Sequence, residues 1–382
     1  IGLLAIMLLF GGFVSHASAA TQGLSLSQVV DILIISGAIP PDKAAVARAF
    51  ISGNQTANPT AMAATSANTA VTTISSCREI TQPGNYVVDR NLQATGNGVP
   101  CLNVHDTENV HISCNNRLIK SSADNAILIL NVKNFSVRSC QLEGGGLYQG
   151  LLIRNATDGG VADSKITPTV NIMDSVRMKI LRNTINGFYK QSFTTDSRIE
   201  MNTIDYSWGS SFGAFMDVGF AVSLMNGSNN VLTGNKINGH ASGVFNLIDG
   251  PDDGVVLADE NRDIINNNII TNIWDCGIET YGFVSNTSIN NNSLKNIGIC
   301  GIGGWYYNSF KGNTIANNIV DDVPFLFLFY RSFGLRSQET DITGHTTPAD
   351  DKIYFKDNVF ENNKLINPRP KGTYGNYSSG IV

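Results

Sequence analysis

The sequence predicts an all-β solenoid, a chain wound into about ten or eleven stacked coils of short strands, and three observations predict it. A short apolar motif recurs along most of the chain. Its 43 Asn and 37 Gly spread turn-forming residues over all 382 positions rather than in one tail. Within the repeats, β-branched residues alternate at period two, and no segment holds ten residues at the 3.6 spacing of a helix.

Composition narrows the function classes. A chain that is 42% hydrophobic is not disordered throughout, and it is long enough for one large core or two ordinary ones. Charged residues are 15%, against roughly 25% in an average soluble domain, with a formal net charge of -5. A broad basic face for nucleic acid is therefore not expected, and no nucleic-acid partner is assigned.

Taken in order, residues 1–10 are almost wholly apolar and run into Ala17-Ser18-Ala19-Ala20, the small-residue pattern of a signal-peptide cleavage site. The expectation is an export signal over 1–19, truncated at its start, and a secreted or cell-surface protein with no stable transmembrane anchor. Residues 20–52 predict a short helical pair: an apolar run ends at Gly37, and Pro40-Pro41-Asp42 opens an Ala-rich run that ends at Gly53. Residues 53–75 are Ala, Thr, Asn and Ser with no charge before Arg78, and read as a flexible linker. The solenoid domain is assigned to 76–382.

The repeat is apolar-x-apolar-x-x-Asn-x-apolar. It stands as Phe135, Val137, Cys140, Leu142, as Met178, Ile180, Asn183, Ile185, and as Leu232, Asn235, Ile237. Anchors at 140, 164, 183, 202, 235, 268, 292, 313 and 358 are spaced by 24, 19, 19, 33, 33, 24, 21 and 45, and the last step is expected to cover two turns. A second apolar strand is expected between anchors at 127–130, 151–153, 220–224, 244–248, 277–281 and 301–305. The Asn column has a physical cause: corner amides lack a strand partner, and an Asn side chain both tolerates the left-handed conformation and bonds nearby backbone.

These repeats, from about 84 to 367, resemble the right-handed parallel β-helix proteins of the pectate-lyase-like superfamily. The resemblance implies a right-handed single-stranded parallel β-helix, and it implies lyase, hydrolase, epimerase or adhesive roles without choosing among them. The family's catalytic motifs do not carry over. Gly239-His240-Ala241 lacks the second Gly of the polygalacturonase pattern and precedes Asp252-Asp253, while Gly250-Pro251-Asp252-Asp253 lacks the His of the alginate-epimerase pattern.

The six cysteines fall into Cys77 and Cys101, Cys114 and Cys140, and Cys276 and Cys300, separated by 24, 26 and 24 positions. Disulfides or small buried side chains suit this spacing, since no Cys-x-x-Cys is present. Cys276 and Cys300 each follow an anchor by eight residues, so they should stack about 4.8 Å apart, within disulfide reach. By the same offset Glu279 lies on Gly303 and Tyr281 on Trp305.

The extra length between Asn235 and Asn268 falls around residues 249–254 and is expected to project from one edge. Asp249, Asp252, Asp253, Asp275 and Glu279 would then border a groove floored by Tyr281, Trp305 and Tyr306. Aromatic faces stack on sugar rings, and carboxylates bind hydroxyls, hold Ca²⁺ or serve as acid and base. Asp252, Asp253, Asp275 and Glu279 are the catalytic candidates; Tyr281, Trp305, Tyr306 and Asp249 are the substrate-binding candidates. No cofactor is required, and Ca²⁺ is the one metal the acidic residues suggest. The expected partner is a polysaccharide or cell-surface glycan, either degraded along one sheet or, in the alternative, only bound. The plainer readings are an ordinary Asp-Gly-Pro-Asp-Asp-Gly turn, an internal aromatic stack, and a surface-turn His240.

Overall fold

A computed structural model describes residues 71–369 apart from 95, 97, 123, 146–148, 207–218, 242–249, 305–308 and 330–354. The chain divides into two units at Asn68 and Thr69. The export signal, the helical pair and residues 53–70 lie outside the described residues.

Every strand pairing is parallel, and three kinds of strand succeed one another around each coil. Eleven short strands, from Leu92–Ala94 to Lys364–Ile366, stack into one sheet and count eleven coils. A second stack holds longer strands, among them Thr169–Met173, Phe188–Ser192, Phe220–Met225, Asp253–Ala258, Cys276–Tyr281, Cys300–Gly304 and Phe325–Phe329. A third runs through Thr157–Ala162, Lys179–Leu181, Arg198–Glu200, Val231–Thr233 and Ile264–Asn266. The second and third stacks are continuous where the twelve-residue strands Leu102–Ser113 and Ile127–Arg138 run across both. No helix occurs among the described residues, and none there is long and apolar enough to cross a membrane.

Period-two alternation builds the core. Ile180, Ile199, Leu232, Ile265, Ile289 and Ile315 stack in one column, and Ile166, Ile185, Ile204, Ile237, Ile270 and Leu294 in another, all buried. Each such side chain contributes roughly 1.5–3 kcal/mol of burial. Register is fixed accordingly, because a one-residue slip would turn a whole column to solvent.

The corners are held by side-chain ladders. The Asn202 N–H and Nδ2 donate to Asn235 Oδ1 at 2.9 and 3.0 Å, Asn235 donates likewise to Asn268 at 3.0 and 3.0 Å, and the ladder continues through Asn292, Asn318 and Asn363. A second ladder runs through Ser197, Asn230, Asp263, Thr287, Asn313 and Asn358. The expected single column is thus at least two, and Ser175 and Thr194 accept amides in the same way at another corner. Asn292 is followed by Asn318, not Asn313, and the 45-residue step from Asn313 to Asn358 is one coil, its strands Thr314–Ala316 and Val359–Glu361 being direct neighbours. The left-handed residue is the one before the ladder position, such as Arg182, Met201 or Gly234. Asn is therefore selected for its hydrogen bonds, and φ tolerance is a separate requirement one residue earlier.

Two further expectations change. Val71–Ile74, placed in the linker, is the first described strand and pairs with Gly84–Val88; its β-branched Val-Thr-Thr-Ile suits a strand. Residues 244–248 lie outside the described residues, and the long strand of that coil is Asp253–Ala258.

Candidate functional site

Asp253, Cys276 and Cys300 each precede a glycine that faces the core. A Cβ at Gly254 would stand 2.5 Å from Ile270 Cγ2, one at Gly277 2.2 Å from Leu294 Cδ2, and one at Gly301 2.6 Å from Val320 Cγ2. Val255, Ile278 and Ile302 follow them into the core, so two consecutive positions point inward on each coil. Asp253 and the cysteines are thereby turned to the outer side. There Val256, Glu279 and Gly303 form the next column, and a Cβ on Gly303 would approach Cys300 Sγ to 2.6 Å.

All three expected cysteine pairs are disulfides between adjacent coils, with Cα separations of 4.5, 4.8 and 4.6 Å for Cys77–Cys101, Cys114–Cys140 and Cys276–Cys300. The last forms one wall of an acidic cluster. Asp253 and Glu279 are buried to 0 and 1% exposure, with carboxylate oxygens and Cys276 Sγ all within 4.8 Å of one another. Asp253 Oδ1 accepts the Cys276 N–H at 3.2 Å, and Oδ2 accepts the Tyr281 hydroxyl at 3.5 Å. Asp252 and Asp275 stack on successive coils, the Asp275 N–H donating to the Asp252 carbonyl at 2.6 Å, and both are less deeply buried.

The projecting loop expected at 249–254 is corrected accordingly. Asp253 and Gly254 open a fully buried strand, because the apolar run Val255 to Ala258 continues directly from them. Asp252 remains at the rim. Asp249, Trp305 and Tyr306 lie outside the described residues. Tyr281 is half-buried, and its ring sits 6.2 Å from Phe220.

Burial dominates the electrostatics. It raises the Asp253 carboxyl to about 7, a hydrogen bond with Glu279 acting in the opposite direction. Burial, then the charge of Asp253, holds Glu279 well above the usual carboxylate range. Asp275 is raised by burial and then by Asp253 and Asp252, and Asp252 by burial. Tyr206 is pushed up to about 12 by burial and by the charge of Asp252, and Tyr281 is raised by burial and by Asp253 and Glu279. Glu279 has the Tyr281 hydroxyl and Asp253 as neighbours, a hydrogen bond with the hydroxyl lowering its carboxyl and one with Asp253 raising it. One carboxylate cannot bond another, so the hydrogen bond between Asp253 and Glu279 requires a proton held by one of the two.

This pair does not make a calcium cage. Cys276 sulfur is committed to a disulfide, and calcium takes 6–8 oxygens, of which a proton-sharing pair offers few. What the arrangement can do is donate and accept a proton near neutral pH. Tyr206 and Phe220 were not anticipated; both flank residues 207–218, and only that lengthened coil signalled them. Glu260 and Asp263, a second buried acidic pair, were also missed because they stand at corner positions filled elsewhere by Ser, Thr and Asn. His240 occupies a half-exposed turn at φ +61 and pairs with Asp205, as a surface-turn histidine would.

The family described as "Right handed beta helix region" matches residues 194–342. The stacked parallel sheets make the described solenoid a parallel β-helix, in keeping with that match. A search of curated protein sequences returns no match. Among solved structures, the Dettilon tailspike protein is 15% identical with a TM-score of 0.45, the match covering 72% of this chain and 62% of that one. A tailspike mutant of E. coli bacteriophage HK620, in complex with a hexasaccharide, is 11% identical, TM-score 0.40, covering 70% and 57%. DFA-IIIase from Arthrobacter chlorophenolicus A6 without its lid, in complex with GF2, is 13% identical, TM-score 0.38, covering 75% and 74%. The chain spans about three fifths of the length of these two tailspikes.

Proposed function

We propose that this right-handed parallel β-helix binds a polysaccharide along the outer side of its long-strand sheet and cleaves it there, the Asp253–Glu279 pair moving the proton. The observation that carries this reading is Glu279, 1% exposed, beside the buried Asp253, whose carboxyl is held near 7. Buried polar atoms are nearly always satisfied, and a carboxyl kept protonated at neutral pH is what a general acid requires. In this reading one of the rim carboxyls, Asp252 or Asp275, meets the glycosidic oxygen and protonates it, drawing the proton from the buried pair, while the other holds sugar hydroxyls or activates the attacking group. Retaining enzymes separate their two carboxyls by about 5–5.5 Å and inverting ones by about 6.5–9.5 Å. Asp253 and Glu279 are closer than either and act as one unit, so the partner carboxylate is Asp252 or Asp275. Three disulfides support an oxidising compartment, secreted or at the cell surface.

A second reading, a non-catalytic glycan-binding solenoid, is favoured by one observation. Asp253 accepts the Cys276 N–H much as the ladder residue Asp263 accepts that of Asn230. A panel of polysaccharides assayed for reducing and for unsaturated ends separates the two. Glu279→Gln is expected to keep glycan binding and lose turnover about 10²–10⁴-fold. Retained binding with no product from any polymer would establish the non-catalytic reading instead.

A further inference from the structure

The corner between the third sheet and the eleven-stranded sheet changes character along the solenoid. Two columns of outward side chains flank it, one on each sheet. On earlier coils the first column holds Lys179 and Arg198, and the second Lys165, Thr184 and Thr203. From Val231 onward the first reads Val231, Ile264, Ser288, Thr314, Val359. The second reads Lys236, Ile269, Ser293, Ile319, Lys364. Between them the left-handed corner residues are Gly234, Asn267, Asn291, Asn317 and Asn362. Ile264, Ile269, Ile319 and Val359 are 41–47% exposed, and the three central coils place no charge in any of these columns.

Strand propensity alone does not account for this strip. Isoleucine and valine favour strands, yet Lys179 and Arg198 occupy the first column on the two preceding coils. The corner amides differ as well. Exposed left-handed asparagines elsewhere bond across coils, as Asn134 does to Asn109 at 2.6 Å and Asn155 to Asn131 at 2.7 Å. Among the described residues, the side chains of Asn267, Asn291, Asn317 and Asn362 bond nothing in the chain. Uncovered aliphatic side chains beside free amides, with no charge between them, compose a protein–protein contact. Their order identifies the partner. Lys-Ile-Ser-Ile-Lys reads the same in both directions about Ser293, and Val231 and Val359 stand two coils to either side of Ser288. A two-fold axis lying across the strip at this coil sets Ile269 against Ile319 of a second copy, Asn267 against Asn317, and Val231 against Val359. The end lysines fall at the rim, where Lys236 meets the coil that carries Glu361. Only a surface of identical coil pitch meets every rung, and on a chain of net charge -5 an uncharged strip lets two copies approach.

We infer that this strip joins two antiparallel copies of the chain in an isologous dimer. Five coils at about 4.8 Å, and a strip about 20 Å wide, bury roughly 1,000 Å² in total, the low end for a specific contact, so the dimer dissociates in the micromolar range. The contact uses other sheets than the acidic cluster and does not depend on the proposed cleavage. Sedimentation velocity on the full chain, from about 1 to 200 µM, is expected to show monomer passing to dimer, with little change between low and high salt. Ile269→Lys with Ile319→Lys sets like charges opposite each other twice and is expected to raise Kd about ten-fold or more. Ile269→Lys with Ile319→Glu sets opposite charges there instead and is expected to recover most of that loss. All six native cysteines are in disulfides, so Ser293→Cys adds the one thiol, placed beside the axis. Mild oxidation with copper phenanthroline is expected to cross-link it to its own copy and to leave Thr184→Cys, in the same column outside the strip, as monomer. A monomer at every concentration overturns the inference and leaves the strip to a different protein. Equal weakening by the two isoleucine pairs, or Thr184→Cys cross-linking as readily as Ser293→Cys, overturns it too.

Discussion

Coils between residues 155 and 206 repeat every 19 residues, and those between 226 and 304 are longer. Both turn their corners by the same rule, with a left-handed residue followed by a side chain that accepts an amide from the coil before it. In the first region those acceptors are Ser175, Thr194, Ser197, Asn183 and Asn202, and none carries a titrating proton. In the second, Glu260 accepts the Gly227 N–H at 2.9 Å and Asp263 accepts the Asn230 N–H at 2.7 Å. Gly227 leaves the space that Glu260 enters, since a Cβ there would stand 2.8 Å from Glu260 Oε1. Geometry is conserved across the two regions while the energetics become conditional. A neutral acceptor holds its corner at any pH, and a buried carboxyl holds it fully only while a proton is shared.

The largest expected effect tests the neutral side. Asn202→Ala removes the acceptor of the Asn183 N–H and of its Nδ2, and removes the donor to the Ile180 carbonyl and to Asn235, at a site with 1% exposure. Orphaning buried backbone and amide groups costs about 1–3 kcal/mol each, so a loss of roughly 2–4 kcal/mol is expected from denaturant titration. That loss should be the same at pH 5 and pH 8. A pH-dependent loss would break the distinction between the two regions.

The acidic side is expected to give a smaller, pH-dependent effect. Burial raises Asp263 to about 6, and burial followed by the charge of Asp263 holds Glu260 well above the usual range. A carboxyl raised in the folded state stabilises it fully below the unfolded pKa, near 4, and this contribution is lost as pH rises through the folded value. The thermal midpoint should therefore fall between about pH 4 and pH 7, by an amount on the order of a few kcal/mol in stability. Glu260→Gln with Asp263→Asn should flatten part of that slope, and the remainder belongs to Asp253, Asp275 and Glu279. A slope unchanged by the pair would show that both acids are ionised in the folded chain.

How far this was legible in the sequence follows from the same contrast. The anchors from Cys140 to Asn292 can be read because each coil repeats one apolar-Asn-apolar phrase, and the disulfide between Cys276 and Cys300 follows from equal offsets. The reading slips at Asn313 because each of these coils carries two ladders five residues apart, and Asn313 and Asn318 are both followed two residues later by Ile or Val. Asp253 was misplaced for a related reason. Asp disfavours strands, so Asp-Asp-Gly reads as a turn, and only the glycine column that faces it outward lets it begin one. Glu260 and Asp263 were invisible because their environment is made by residues 30 or more positions away, such as Gly227 and Asn230.

The smallest expected effect returns to the first region. Arg177 binds Asp158 through two hydrogen bonds at 2.6 and 2.9 Å, and this contact lowers the Asp158 carboxyl, the opposite direction to Asp263. A lowered carboxyl stabilises the fold above the unfolded pKa and loses that contribution as pH falls through the folded value, so its influence lies below about pH 4. Both side chains are largely in solvent, where ions and water compete for each charge and two long side chains must be ordered to meet. Arg177→Ala is accordingly expected to leave the denaturation midpoint unchanged at physiological ionic strength, with any shift appearing only at low salt. Burial, rather than the presence of a carboxyl, is then what separates the two regions. A loss approaching that of Asn202→Ala would mean the exposed pair closes its coil as a ladder residue does.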